Sequence, residues 1–427
     1  MSRTTIGMDQ VKKLVNFTLD NNLELENKGK TPIAISLEGS AGIGKTSIIR
    51  QIASERGMGF TKINMAQLEE AGDIIGFPLK EYECQVLKRE KKEDGTYSVS
   101  VLPKTVWVND KQLEEGPGAN MKYRQTGKTR MGYAKPAWVP EYNEKGNIVL
   151  LDDYVRSNPQ LLQACMDLVL EQKYVSWGTP KKTTFILTNN PDDGTNNVNA
   201  LDEAQRTRFM NFEIAFDVNA FMAWAEKEGI DGRCINFVAT YYNELFSADD
   251  QGNRICNPRS FVMFANMISG IKDWDNSDSL EFINTIARGC FKDEGGRFAG
   301  MFNAFLRHKM HLLIQPKDML LGNWKEKIKD KLEETLYDSD GQYRPDVASL
   351  LERRFVNYVS AWLQSDEDTP IAKVKDRIID FLDNVDKGGK VLFNKDLFYH
   401  MIKSITSDNK RQTNKLLFEP KIAKIIS

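Results

Sequence analysis

The chain has 427 residues, 41% hydrophobic and 28% charged, and its 58 Lys and Arg against 60 Asp and Glu leave a net charge of −2. That composition supplies apolar material for two or three cores and excludes a disordered or collagen-like chain. Near-neutrality gives no global attraction to phosphate backbones, so nucleic acid has no support from composition, although a local basic face stays open. No apolar run approaches the about twenty residues of a membrane-spanning helix, and Met1-Ser2-Arg3-Thr4-Thr5 lacks the apolar stretch of a signal peptide. The sequence therefore predicts a cytoplasmic protein with no membrane partner. Five cysteines (Cys84, Cys165, Cys234, Cys256, Cys290) never approach CxxC spacing and read as free thiols, not as a disulfide framework or zinc knuckle.

In chain order, Val11, Leu14, Val15 and Leu19 stand at helical spacing, and Asn21, Asn22 and the stretch Asn27-Lys28-Gly29-Lys30 predict a loop after a short amphipathic helix. The apolar run Ile33-Ala34-Ile35-Ser36-Leu37 predicts a strand, followed by a glycine loop and a helix through Ser47–Ala53. Further buried strands are predicted at Phe60–Asn64, Asn147–Leu151 and Thr184–Thr188, which together argue for a parallel sheet wrapped by helices. Between about residues 80 and 137 this alternation gives way to polar sequence with scattered aromatics, too long for a connection and hence an insertion. From about 219 onward nearly everything reads as helix; Trp324–Leu332 and Val374–Leu382 have the apolar stripes of surface helices.

Gly39-Ser40-Ala41-Gly42-Ile43-Gly44-Lys45-Thr46, followed by Ser47, fits GxxxxGK[ST] between a strand and a helix. Glycines let the backbone curl so that successive N–H groups and the helix N-terminus face an anion. Lys45 suits the β and γ phosphates of a nucleotide, and the Thr46 hydroxyl is an oxygen ligand for Mg²⁺. Such a metal needs a carboxylate at the end of a neighbouring strand, and Ile148-Val149-Leu150-Leu151-Asp152-Asp153 supplies two. Asp152 is the candidate to hold the metal through water, Asp153 the candidate general base. Taken alone, the same pair reads as a cap or turn.

Asn190, in Thr188-Asn189-Asn190-Pro191, ends a strand where ligands of open α/β sheets bind and suits orienting an attacking water; alone it is equally an Asn-Pro turn. Arg206 and Arg208 precede the strand-like Phe212-Glu213-Ile214, and Arg259 stands near the start of a helix. Arginine stabilises charge developing on a transferring phosphoryl group and is supplied by a neighbouring subunit in some enzymes. Solvation or ion pairing is the plain alternative.

The order of these motifs resembles the AAA+ ATPases, and within them the MoxR-like branch, over about residues 5 to 265. Leu37-Glu38-Gly39 with the glycine loop looks like Walker A and Leu151-Asp152-Asp153 like Walker B. Asn190 matches sensor 1, Arg208 the arginine finger and Arg259 sensor 2. Ile6-Gly7-Met8-Asp9 is similar to the box that approaches the adenine, and Tyr174-Val175-Ser176-Trp177-Gly178 lies where the family carries a hairpin. The resemblance implies an AAA+ αβα P-loop core with a parallel sheet at 1–218, a helical lid at 219–320 and a helical C-terminal region at 321–427. It also implies ATP and Mg²⁺ as ligands, Mg-dependent hydrolysis, a homo-oligomeric ring, expected to be a hexamer, and a protein client with a von Willebrand factor A domain. Two departures stand out. Asp153 replaces the usual glutamate and withdraws the carboxylate by about one C–C bond, and the insertion lengthens the interval from Thr46 to Asp152.

Within the insertion, Trp107, Tyr123, Tyr133 and Trp138 alternate with Lys122, Arg124, Lys128, Arg130 and Lys135, a mixture suited either to gripping a peptide or nucleic acid strand or to forming a small local core. Three readings of function follow: a client-remodelling ATPase, a nucleotide-gated assembly factor with little turnover, and a nucleic-acid motor or loader. His308 and His311 have no third metal-ligand type nearby, and Leu416-Leu417-Phe418-Glu419-Pro420 carries no chemical motif.

Overall fold

The computed structural model describes residues 4–91, 97–191, 203–247, 254–291, 296–322, 328–338, 340–365, 376–381, 385, 391–407, 420 and 422–423. It forms two compact units, Met1–Ala215 and Phe216–Ser427. The first is built on β1 (Thr4–Ile6), α1 (Met8–Asn27), β2 (Ile35–Gly39), α2 (Lys45–Arg56), β3 (Gly59–Asn64) and α3 (Ala71–Ile75). After an excursion described below it continues through β7 (Asn147–Asp152), α5 (Pro159–Glu171), the hairpin β8 (Lys173–Tyr174) and β9 (Trp177–Gly178), β10 (Thr183–Asn189), α6 (Glu203–Arg206) and β11 (Met210–Ile214). Six strands form one parallel sheet in the order β1-β11-β2-β10-β7-β3. This is the α/β core, a parallel sheet with flanking helices, that the sequence predicted, followed by a helical unit.

The strand order follows from burial. All seven residues of β10 are buried, as are Asn147–Leu151 of β7, and strands buried along their whole length need both faces of the sheet covered. Placing β10 between β2 and β7 aligns the strand ends: Asn189 pairs with Glu38, Thr188 with Asp152, and Asn64 with Asp152. Five polar side chains thus reach one row at the carboxyl edge of the sheet.

The predicted loop at Asn21 and Asn22 is corrected, because both lie inside the twenty-residue α1. Asn22 is buried; its Nδ2 donates to Ile33 O (2.9 Å) and Thr184 Oγ1 (3.1 Å), and its Oδ1 accepts from Ile33 N (2.8 Å). These tertiary hydrogen bonds outweigh the local turn preference of asparagine.

The excursion is a three-stranded antiparallel sheet, order β5-β4-β6, made of β4 (Pro78–Lys91), β5 (Tyr97–Asn109), α4 (Asp110–Glu115) and β6 (Met121–Tyr133). Register shifts interrupt both of its ladders, between Tyr82 and Cys84 where β4 pairs with β6 and between Gln85 and Leu87 where β4 pairs with β5. Its four singled-out aromatics divide. Tyr133 meets Tyr174 edge-on at 4.8 Å, and Trp138 meets Trp177 at 5.8 Å, both packing against the core. Arg130 lies over Trp107 at 4.5 Å while its Nε donates to the buried Glu81 at 2.7 Å. Tyr123 is half-buried opposite Val86.

The second unit holds α7 (Val218–Lys227), α8 (Gly232–Phe246), α9 (Pro258–Ile268), α10 (Ser277–Cys290), α11 (Arg297–Arg307), α12 (Pro316–Leu321), α13 (Lys329–Leu336), α14 (Pro345–Ser365) and a last long helix, Lys395–Ser407. One apolar cluster runs from Met222 to Ile422 and is rich in phenylalanine: Phe237, Phe261, Phe264, Phe298, Phe302 and Phe305 are all buried. Beside it, the fully buried Arg354 donates to Glu226 (2.7 Å), Asn236 (2.6 Å) and Gln315 (3.1 Å), so its charge is paired and its donors are shared. His311 is buried and bonded to Asp275 at 3.1 Å, with Trp274 stacked on its ring. Of the predicted surface helices, 324–327 and residues 374, 375 and 382 lie outside the described residues, as do 416–419.

Asn22→Ala removes three hydrogen bonds and leaves the Ile33 N–H and C=O without that partner. It is expected to destabilise the chain by about 2 kcal/mol in denaturant unfolding; an unchanged midpoint would show that the 21–33 segment is not anchored there.

Candidate functional site

The glycine loop expected to bind phosphate leaves the carboxyl end of β2 and re-enters helix at α2. Gly44, the residue before α2, has φ +98°, a left-handed conformation that disfavours any side chain. Gly39 faces a different constraint. A Cβ there would come within 2.6 Å of Ile43 Cδ1 and 3.1 Å of Ile214 O, so the loop packs directly on β11. Ser40 and Gly42 are half-buried, Ala41 and Ser47 exposed, and Ile43 buried. Met8, in the segment resembling the adenine box, approaches the loop closely: its Cε is 3.4 Å from where a Cβ on Gly44 would stand.

Lys45 is buried, and its ammonium donates to Gly39 O (2.6 Å), Ser40 O (3.1 Å) and Asn190 Oδ1 (3.0 Å). The other end of the Asn190 amide donates from Nδ2 to Asp153 Oδ1 at 3.1 Å. One amide therefore links the loop cation to the acid that follows β7. Asp153 itself sits in left-handed conformation at φ 53°, which aspartate tolerates better than longer or branched side chains, and its Oδ2 is 3.9 Å from Arg156 Nη1.

Asp152 is more heavily engaged. Thr188 Oγ1 donates to its Oδ1, Lys62 Nζ lies 2.6 Å from its Oδ2, and Thr46 Oγ1 is 3.4 Å from both oxygens. Burial alone would raise its pKa. The hydrogen bonds from Lys62 and Thr188, with the positive charges of Lys62 and Lys45, outweigh that and hold it below the ordinary carboxylate value. Lys62 was not singled out in the sequence, where it is one charged residue in the run Phe60-Thr61-Lys62-Ile63-Asn64. Its signal is position: a lysine two residues before the end of a strand beside β7 has the reach to meet a carboxylate at the carboxyl edge of the sheet. Glu38 and Asn189 are likewise joined across the edge at 2.8 Å.

The donor set fits a hard cation. Thr46 and Asp152 present only oxygens, and the buried Oδ1 atoms of Asn64 and Asn189, on the same sheet edge, have no hydrogen-bond partner. Arg208 pairs with Asp167 on α5 at 3.1 Å and is a quarter exposed, whereas Arg206 is exposed at the end of α6. Arg259 belongs to the second unit and is exposed in the first turn of α9, behind the capping pair Asn257 and Ser260 (Asn257 Oδ1 accepts from Ser260 N at 2.9 Å). Walker A, Walker B and sensor 1 candidates thus come together at one edge.

No model of a known protein family matches the chain. Among solved structures it is similar to the Thermotoga maritima RuvB Holliday junction branch migration motor, with 16% identity over 66% of this chain and 70% of that chain and a TM-score of 0.32. It is also similar to a point mutant of the same RuvB, with 13% identity over 88% of each chain and a TM-score of 0.35.

Gly39→Ala is expected to push the loop away from Ile43 and Ile214 and to destabilise the chain by about 1–3 kcal/mol in denaturant unfolding. Unchanged stability would show that the loop does not pack on β11 as described.

Proposed function

We propose that this chain is an ATP-binding and ATP-hydrolysing AAA+ ATPase of the MoxR-like type, acting in the cytoplasm as a homo-oligomeric, hexameric ring that remodels or assembles a protein partner. The observation that carries the reading is the hydrogen-bonded series Lys45, Asn190, Asp153 beside the Thr46 and Asp152 oxygens. A P-loop sequence alone binds phosphate; a water-orienting amide between its lysine and a carboxylate also supports hydrolysis.

In this reading the loop N–H groups, from Ser40 to Ser47, and Lys45 hold the phosphates, and Thr46 and Asp152 hold Mg²⁺. The metal, when bound, neutralises charge on the β and γ phosphates. Lys45 exchanges the Gly39 and Ser40 carbonyls for phosphate oxygens. Asn190 keeps Asp153 turned toward the γ phosphate, where its carboxylate takes a proton from water. Arg208, released from the half-exposed Asp167, serves the neighbouring subunit's site, and Arg259 serves as sensor 2; an ion pair this exposed costs little to break. The helical unit comprises a lid at 219–320 and a C-terminal region at 321–427 that share one core. The antiparallel sheet within the 80–137 insertion meets the client, and the exposure of Tyr97, Val99 and Val101 along β5 supports that role. The client's chemistry is taken as a von Willebrand factor A domain on the family resemblance alone. Among the described residues no helix is long and apolar enough to cross a membrane.

One observation favours slow turnover, and with it a nucleotide-gated assembly factor. Both oxygens of Asp153 face donors of its own chain, Asn190 and Arg156, and its side chain is shorter than the usual glutamate. Steady-state phosphate release on the full chain separates the two readings.

Lys45→Ala is expected to abolish ATP binding while the fold survives, and unchanged affinity would refute the site. Arg208→Ala should keep ATP binding and cut hydrolysis by about 10³-fold. Mixing Arg208→Ala with Lys45→Ala protein should restore part of the turnover, because some mixed interfaces join an intact loop to an intact arginine. No recovery in demonstrated mixed rings would remove Arg208 from that role.

A further inference from the structure

Lys62 lies opposite Leu150 in the sheet, while Asp152 lies opposite Asn64. The Lys62 stem therefore runs forward along the sheet to bring its ammonium to Asp152 Oδ2 at 2.6 Å. The carboxylate is only 14% exposed and the lysine 34%, so the pair is shielded more than a surface ion pair yet the lysine keeps a path to water. Thr188 already takes Oδ1.

We infer that Lys62 is a built-in cation that competes with divalent metal for Asp152, so that metal entry requires the Lys62 ammonium to leave Oδ2. This inference rests on the phosphate-loop reading above. A hard dication binds through oxygen lone pairs, and those of Oδ2 are directed at an ammonium while those of Oδ1 serve Thr188. Two cations on one partly buried carboxylate also repel each other. Lysine suits the exchange, being a single charge on a flexible four-carbon stem that can be rehydrated as it swings out. Without nucleotide, Lys62 neutralises Asp152 and disfavours metal alone. Metal arriving with a triphosphate brings further oxygen ligands that compensate for displacing the lysine. The device thus couples metal binding to nucleotide binding, and Lys62 acts as a positioning residue.

The test titrates nucleotide-free, full-length protein with Mn²⁺ and reads the free ion by electron paramagnetic resonance. Lys62→Met keeps the stem and removes the charge, and is expected to bind Mn²⁺ about tenfold more tightly than the wild type. Lys62→Arg keeps the charge and should bind as the wild type does. Lys62→Gln, a second neutral variant, should show the same tightening and guards against misfolding of Lys62→Met. Asp152→Asn in each background should erase the difference. Equal or weaker binding in the neutral variants, or no measurable binding in any of them, overturns the proposal. ATP binding in EDTA keeps the two claims separate. If the wild type binds ATP and Lys45→Ala does not, the phosphate-loop reading stands even when the Lys62 proposal falls; if the wild type binds no ATP, the phosphate-loop reading itself has failed.

Discussion

The side-chain amide of Asn190 serves two opposite charges at once, accepting from the Lys45 ammonium at 3.0 Å and donating to the Asp153 carboxylate at 3.1 Å. An amide is suited to this because it carries an acceptor and a donor on one rigid plane. Asn190 is itself buried, so both contacts are made out of bulk water, where a missing partner costs more. The arrangement requires that the loop after β2 and the ends of β7 and β10 lie side by side, and the strand order, with β10 between β2 and β7, provides that. Chemistry and topology are thus one constraint seen from two ends.

The same edge carries a second layer of pairing, in which donors of the chain meet acceptors of the chain. The Lys45 ammonium bonds to loop carbonyls, the Lys62 ammonium to Asp152, and the neutral Asn189 amide to Glu38. Each of these contacts keeps a charged group at the edge from standing unpaired. The antiparallel sheet emerges from the chain between α3 and β7, and its base is tied to the core by Tyr133, Trp138 and the Trp177 indole, whose N–H donates to Ile75 O at 2.9 Å. That anchoring lets the far end present exposed side chains without disturbing the site.

Much of the core was legible because its signals are strong. The strands β3, β7 and β10 match the runs at 60–64, 147–151 and 184–188 within a residue or so at each end, and β7 and β10 are buried as expected, whereas β3 is the sheet's edge strand and buries only Ile63. The phosphate loop was legible because glycines at fixed spacing answer steric needs, seen in the Gly39 contact and the φ of Gly44. The antiparallel sheet was not resolved into strands, because β5 is exposed at most positions on both faces and so loses the alternation that marks a half-buried strand. Asn22 misled because asparagine favours turns locally, while its actual partners lie far along the chain at Ile33 and Thr184. Lys62 escaped notice for a related reason, since its meaning lies in the strand register with β7 and not in its neighbours.

Whether Lys45 is the phosphate-binding cation of the site formed with Asn190 and Asp153, as proposed, is tested most directly by a structure of the full chain with Mg²⁺ and a non-hydrolysable ATP analogue. The expected result is Lys45 Nζ transferred from the Gly39 and Ser40 carbonyls to the β and γ phosphates, with Asn190 within hydrogen-bond reach of the γ phosphate or its attacking water. Nucleotide bound elsewhere, with Lys45 still on the loop carbonyls, would contradict the account.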